Sequence, residues 1–187
     1  MRKIISFMHL SLDGYVAVPG GALNWVTVNE EIFSHVGKRI GTTDTAMYGR
    51  VTYEMMESYW PTAGDQPNAS QHDKDHSKWY AHAQKIVLSN TLSGGGRTEV
   101  INSNLVARVN ELRQQPGEEI LVFGSPTATH SLMQHGLIDG YWLFLNPIIL
   151  GGGTRLFEDS EQRTKLVLDD THRFECGVIE LKYTVNR

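Results

Sequence analysis

The stretch from Glu118 to Phe157 constrains this chain most. It reads as an apolar strand, Ile120-Leu121-Val122-Phe123, followed by Gly124-Ser125-Pro126-Thr127 opening a helix. Leu137-Ile138-Asp139, a second apolar strand from Tyr141 to Leu150, and Gly151-Gly152-Gly153 come next. A buried strand that turns through glycine into a helix gathers free backbone N–H groups and the positive end of the helix dipole. Ser125 suits the N-cap and Pro126 the first helical position. Such a junction either holds an anionic group or is a plain tight connection, and taken alone the two readings weigh equally.

Strand-like and helix-like segments alternate along the rest of the chain, which indicates an α/β layer architecture. A first strand covers about Lys3 to Leu10, and a loop with Asp13-Gly14 and Pro19-Gly20-Gly21 follows it. Ile32, Phe33, Val36 and Ile40 recur at helical spacing within a helix from about Asn29 to Ile40. Thr45 to Tyr48 forms a short strand that ends at Gly49-Arg50, where a helix from Val51 to Tyr59 starts. Residues 61–75 are polar and turn-rich, the expected mobile loop. Gln84 to Ser89 reads as a strand, Leu105 to Leu112 as a helix, and Lys165 to Leu168 with Val178 to Val185 as final strands. In the last of these, Val178, Glu180, Lys182 and Thr184 alternate with Ile179, Leu181, Tyr183 and Val185, the mark of a half-exposed strand. A parallel βαβ pattern thus gives way to an antiparallel ending. At 187 residues the chain reads as one domain, 1–187, with no linker or repeat.

Composition narrows the function classes. A net charge of -4 with no basic run argues against a nucleic-acid or anionic-membrane binder. The single Cys176 excludes an internal disulfide and fits a reducing cytoplasm. The N-terminal apolar run is interrupted by His9, Ser11 and Asp13 before it resembles a signal segment, and no run reaches membrane-span length.

Three further positions carry candidate chemistry. Gly49-Arg50-Val51-Thr52 is a second strand-to-helix junction, where backbone N–H groups and a guanidinium can jointly hold phosphate; alone, a surface Arg beside a turn is the commoner case. Two such junctions weigh more than one, because a dinucleotide needs several anchors along the carboxyl ends of the strands. Neither G-x-G-x-x-G nor G-x-x-x-x-G-K-[ST] is present. Asp13 directly follows the first strand and is either a proton donor or orienting carboxylate, or an Asp-Gly turn residue. His72 and His76 lie four apart, yet without a third ligand nearby they read as a solvated face and no metal site is expected. Trp25 reads as core.

Together, Ser11-Leu12-Asp13-Gly14-Tyr15-Val16-Ala17, Tyr48-Gly49-Arg50-Val51-Thr52-Tyr53-Glu54, Lys85-Ile86-Val87-Leu88-Ser89-Asn90, Phe123-Gly124-Ser125 and Leu137-Ile138-Asp139 to Gly153 resemble the dihydrofolate reductase-like proteins. The resemblance is to the group related to the C-terminal reductase domain of the bifunctional riboflavin-biosynthesis deaminase/reductase, and to its stand-alone bacterial members. It implies a three-layer fold: a mixed, mostly parallel sheet flanked by helices, with antiparallel C-terminal strands. It implies NADPH as hydride donor. Gly49, Arg50, Val51 and Thr52 would then meet the pyrophosphate and 2′-phosphate end, and Leu88, Ser89 and Asn90 would lie along the adenosine. Gly124, Ser125, Pro126 and Thr127 would face the pyrophosphate and nicotinamide, with Asp13 beside the substrate.

The activity implied is that of a 5-amino-6-(5-phosphoribosylamino)uracil reductase, the alternatives being a pterin-type reductase or a non-catalytic NADPH-binding protein. A pyrimidine- or pterin-like small molecule is the expected partner. A homodimer is expected too, because the strand from Tyr141 to Leu150 is too apolar for exposure. The chain departs from the family pattern in lacking an Arg-Pro before strand one and a Lys within it, and it carries His9 near that strand's end. Gly140 follows Asp139 where the family often has an acidic residue, and no deaminase motif is present.

Overall fold

A computed structural model describes residues 1–158 and 163–187. In chain order the elements are β1 (Ile4–Ser11), β2 (Tyr15–Ala17), α1 (Glu30–Ile40), β3 (Thr45–Gly49), α2 (Arg50–Ala63), α3 (Gln71–His82), β4 (Gln84–Leu88) and β5 (Thr98–Ile101). They continue with α4 (Leu105–Gln114), β6 (Ile120–Phe123), α5 (Pro126–Gln134), β7 (Gly140–Asn146), β8 (Thr154–Arg155), β9 (Lys165–Arg173) and β10 (Ile179–Asn186). The fold is α/β with mixed, mostly parallel strands and an antiparallel C-terminal ending, as the sequence leads one to expect. Two compact units divide the chain: Met1–Arg2 with Val28–Leu121, and Lys3–Thr27 with Val122–Arg187.

In the first unit β4 pairs in parallel with β3 on one side and β5 on the other. Met47, Tyr48, Ile86 and Val87 are fully buried in these strands. Asn29 caps α1, its side chain accepting from Ile32 N–H at 2.9 Å, and Glu30, Glu31, Lys38 and Arg39 complement the helix dipole.

The segment 61–75 is not a free loop. α2 runs on to Ala63, and α3 begins at Gln71 behind a reciprocal capping box between Ser70 and Asp73. Polar composition hid this helix, whose apolar face is aromatic. His72 stacks on Phe33 at 4.2 Å, and His76 packs on Trp60 at 3.9 Å and Trp79 at 4.9 Å. The solvated face expected for this pair is therefore corrected: His76 is buried, and desolvation pushes its imidazole down to about 3.

Arg2 anchors the start of the chain to this unit. Its guanidinium is buried, bonds Asp44, and donates to Thr45 Oγ1 at 2.7 Å and Glu118 O at 2.5 Å.

In the second unit β1 and β7 pair in parallel, with Ile5 opposite Gly140 and Ser11 opposite Asn146. β10 lies antiparallel on β7, and β9 antiparallel on β10. β7 stops at Asn146, short of the expected Leu150, because Pro147 has no N–H for a ladder. Its Trp142 and Phe144 are covered within the chain, with Phe7 stacked on Trp142 at 4.5 Å. Ile149, within the stretch expected to continue this strand, is exposed, as are Leu166, Val167 and Leu168 of β9. β10 also departs from simple alternation. Glu180 on its polar face is fully buried, bonding the Trp142 indole N–H and lying 3.3 Å from Lys182 Nζ.

Gly140 has no room for a side chain. A Cβ there would lie 2.5 Å from Tyr183 O, closer than side chains come to backbone, and 3.0 Å from Ile5 Cδ1. We expect Gly140→Ala to lower stability by about 1–3 kcal/mol through backbone displacement between β7 and β10. Urea unfolding monitored by tryptophan fluorescence checks this, and an unchanged midpoint would contradict it.

Candidate functional site

In the first unit the parallel register sets Gly49 opposite Leu88, so β3 and β4 end side by side. α2 leaves directly from Gly49, which is its N-cap and has no side chain to satisfy the helix amides; the first turn also carries no acidic residue. The N–H groups of Arg50, Val51 and Thr52 thus open α2 without a side-chain cap, an arrangement that receives phosphate oxygens well. Arg50 is exposed and gives Nη1 to both carboxylate oxygens of Glu54, at 2.8 and 3.1 Å. Engaging a ligand therefore means exchanging that surface pair, which itself contributes little. Beyond Leu88, the Ser89 hydroxyl accepts from Thr91 N–H at 3.2 Å and Leu92 N–H at 3.1 Å, folding the turn after β4. Asn90 is exposed.

In the second unit Gly124 adopts φ +58°, the left-handed region where glycine alone is unstrained, and donates its N–H to Phe7 O at 3.0 Å. Ser125 takes the N-cap position of α5, but its hydroxyl makes no capping bond; Pro126 follows at the helix start and Thr127 is exposed. This helix likewise begins without a side-chain cap.

Asp13 is an anchor. Its carboxylate accepts from Ser11 Oγ–H at 2.7 Å, from Leu150 N–H at 3.1 Å and from Gly151 N–H at 2.7 Å. Gly14 closes the turn with an N–H to Ser11 O at 3.0 Å and φ +88°. The Ser11 hydroxyl, then the backbone donors of Leu150 and Gly151, hold the Asp13 carboxyl down to about 2. At neutral pH it is ionised and has no proton to give. Beside this clamp Gly153, at φ +126°, sits where a Cβ would lie 1.9 Å from Ala17 O, so β2 and β8 close against each other only through glycine.

Sequence reasoning missed the group beside this turn. Asn146 is fully buried, and its Oδ1 accepts from Thr27 N–H at 2.9 Å while its Nδ2 donates to Phe144 O at 2.9 Å. The same Nδ2 lies 3.4 Å from His9 Nδ1. His9 is half-buried between Phe7 and Phe144, and desolvation pushes its imidazole down to about 4, keeping it neutral. Trp25 is core as expected, yet its indole N–H is buried without an acceptor among the described residues. The one legible signal was a histidine at the end of an otherwise apolar strand.

The clamp has a pH signature. The folded-state carboxyl of Asp13 titrates near 2 against an ordinary 3.8, so its stabilisation is complete above that ordinary value and is lost as pH falls toward the folded one. Asp13→Asn removes the charge and leaves one of the two backbone N–H groups facing an amide N–H. The variant should be less stable than wild type at neutral pH, and the gap should narrow across that acidic window. Urea midpoints measured against pH check this; a constant gap would deny the clamp its charge.

Known proteins match this chain over nearly all of its length. The family model described as the RibD C-terminal domain matches residues 2–179. The uncharacterized protein YyaP of Bacillus subtilis (strain 168) is 29% identical over 187 residues, covering 99% of this chain and 96% of that one. A putative riboflavin biosynthesis protein from Shewanella sp. PV-4 superposes with a TM-score of 0.75 at 23% identity, covering 99% of each chain. The Thermotoga maritima diaminohydroxyphosphoribosylaminopyrimidine deaminase/5-amino-6-(5-phosphoribosylamino)uracil reductase superposes with a TM-score of 0.68 at 15% identity. There the match takes in 99% of this chain and 57% of that longer one. The chain belongs to the RibD C-terminal domain family.

Proposed function

We propose that this chain is an NADPH-dependent reductase acting on a pyrimidine-like small molecule, of the type named for the Thermotoga maritima protein, a 5-amino-6-(5-phosphoribosylamino)uracil reductase. The observation that carries this reading is the pair of uncapped helix starts, α2 after β3 and α5 after β6, on a chain of this family. Each offers backbone N–H groups and a positive dipole end to an anionic cofactor without a competing carboxylate in its first turn. Gly49, Arg50, Val51 and Thr52 would take phosphate, Leu88, Ser89 and Asn90 would line the adenosine, and Gly124 to Thr127 would face the pyrophosphate.

When bound, NADPH supplies the hydride. The chain's own work is to orient the substrate, exclude water and keep its turns fixed. Asp13 serves this as a positioning residue: it is ionised, its oxygens are committed to Leu150 and Gly151, and the proton that accompanies hydride comes from solvent.

Arg50 is the candidate for choosing NADPH over NADH, through a charged hydrogen bond to the 2′-phosphate. Such a bond contributes about 1.5–3 kcal/mol, reduced here because Arg50 must leave Glu54. Arg50→Ala should weaken NADPH binding about tenfold and leave NADH nearly unchanged. Isothermal titration with each cofactor decides, and equal losses for both would give Arg50 another role.

A further inference from the structure

The imidazole of His9 has one nitrogen accounted for and one free, and Asn146 determines which. Because Asn146 Oδ1 accepts from Thr27 N–H at 2.9 Å, Nδ2 is the donating end of the amide. That end gives one hydrogen to Phe144 O at 2.9 Å and turns the other toward His9 Nδ1 and Leu10 O, each 3.4 Å away. A hydrogen on His9 Nδ1 would point straight at this N–H. Nδ1 therefore keeps its lone pair, and the ring hydrogen sits on Nε2.

Among the described residues Nε2–H has no acceptor. The ring is half-exposed at the C-terminal end of β1, flanked by Phe7 at 6.1 Å and Phe144 at 5.2 Å between centroids. Ligands of open α/β sheets bind outside the carboxyl ends of the strands. The exposed edge of the ring thus presents a neutral donor. Burial keeps the imidazole itself uncharged, and on β10 Lys182 lies 3.3 Å from Glu180.

We infer that His9 is the specificity residue of the substrate side, its Nε2–H donating to a ring carbonyl of an uncharged pyrimidinedione or pteridinedione. This rests on the reductase reading for the identity of the substrate but not for the existence of the site. Half-buried Phe7 supplies apolar contact for a flat heterocycle, fully buried Phe144 backs the imidazole, and the fixed tautomer presents a donor without reorganisation. Asn146 acts through His9 as a positioning residue. An analogue lacking the carbonyl would leave Nε2–H unpaired and be rejected, the usual basis of discrimination at a polar contact.

The test uses the full chain and lumazine, an uncharged pteridinedione, as probe. Isotope-edited NMR of the histidine side chains should show the His9 hydrogen on Nε2, and its resonance should move on titration with lumazine. In fluorescence titrations His9→Gln, which keeps an N–H donor, should bind lumazine much as wild type does. His9→Leu, similar in size but without a donor, should bind it about tenfold more weakly. NADPH affinity should be the same in all three proteins. A hydrogen on Nδ1, no saturable lumazine binding to wild type, or equal lumazine affinity in His9→Leu would each overturn the inference. The reductase reading fails separately: lumazine bound through His9, with no pyrimidine substrate ever oxidising NADPH, leaves the ring site standing and removes the activity.

Discussion

One carboxylate fixes the geometry of the second unit's functional end. Asp13 joins two turns that lie far apart in sequence, the one after β1 and the one that follows β7, by taking the N–H groups of Leu150 and Gly151. The Ser11 hydroxyl that bonds this carboxylate also accepts from Tyr15 N–H at 2.9 Å, which starts β2. From there Leu156 N–H returns to Gly14 O at 3.0 Å, Arg155 lies 5.0 Å over the Tyr15 ring, and Gly153 lets Ala17 approach. Little apolar burial holds these glycine-rich turns, so a charge-assisted acceptor of two backbone donors decides their conformation. A carboxylate used this way is worth more ionised than protonated, which is why an anchoring role and a proton-donating role exclude each other at neutral pH.

The two kinds of recognition proposed for the molecule would use different physics. Anion binding would fall to backbone: α2 and α5 both start without a side-chain cap, leaving donors in place at no cost in side-chain entropy. Ring recognition would fall to a side chain whose hydrogen is assigned by its neighbour, through Thr27, Asn146 and His9 in series. Neutral donors beside apolar rings suit an uncharged heterocycle, whereas an uncapped helix start suits a phosphate. A nucleotide cofactor and a flat substrate need both.

Much of the fold is legible in the sequence because its strands are buried and its helix starts carry strong local signals. β6 is an unbroken apolar run ended by Gly124, and α1 is announced by Asn29 with apolar residues at helical spacing. α3 was not legible: its inner face is built from half-buried His72 and buried His76 and Tyr80, residues that a hydrophobicity pattern scores as polar. Nor was the strand β5, three half-buried residues and a buried Ile101 behind a glycine turn. At the site, the glycines and the two helix starts were visible as junctions. The role of Asp13 was not, since Asp-Gly after a strand looks the same whether the carboxylate faces a substrate or a distant loop. Asn146 and His9 were invisible as a pair because only the parallel register of β1 on β7 brings their ends together.

Isotope transfer is the direct test of the proposed hydride transfer from NADPH to a ribosylated pyrimidine. The chain is incubated with 5-amino-6-(5-phosphoribosylamino)uracil and NADPH deuterated at the transferable position of its nicotinamide, and the product is analysed by mass spectrometry. Oxidation of the cofactor is expected, with one deuterium carried into the opened ribose chain. NADPH that binds but stays reduced, or a product without the label, would contradict it.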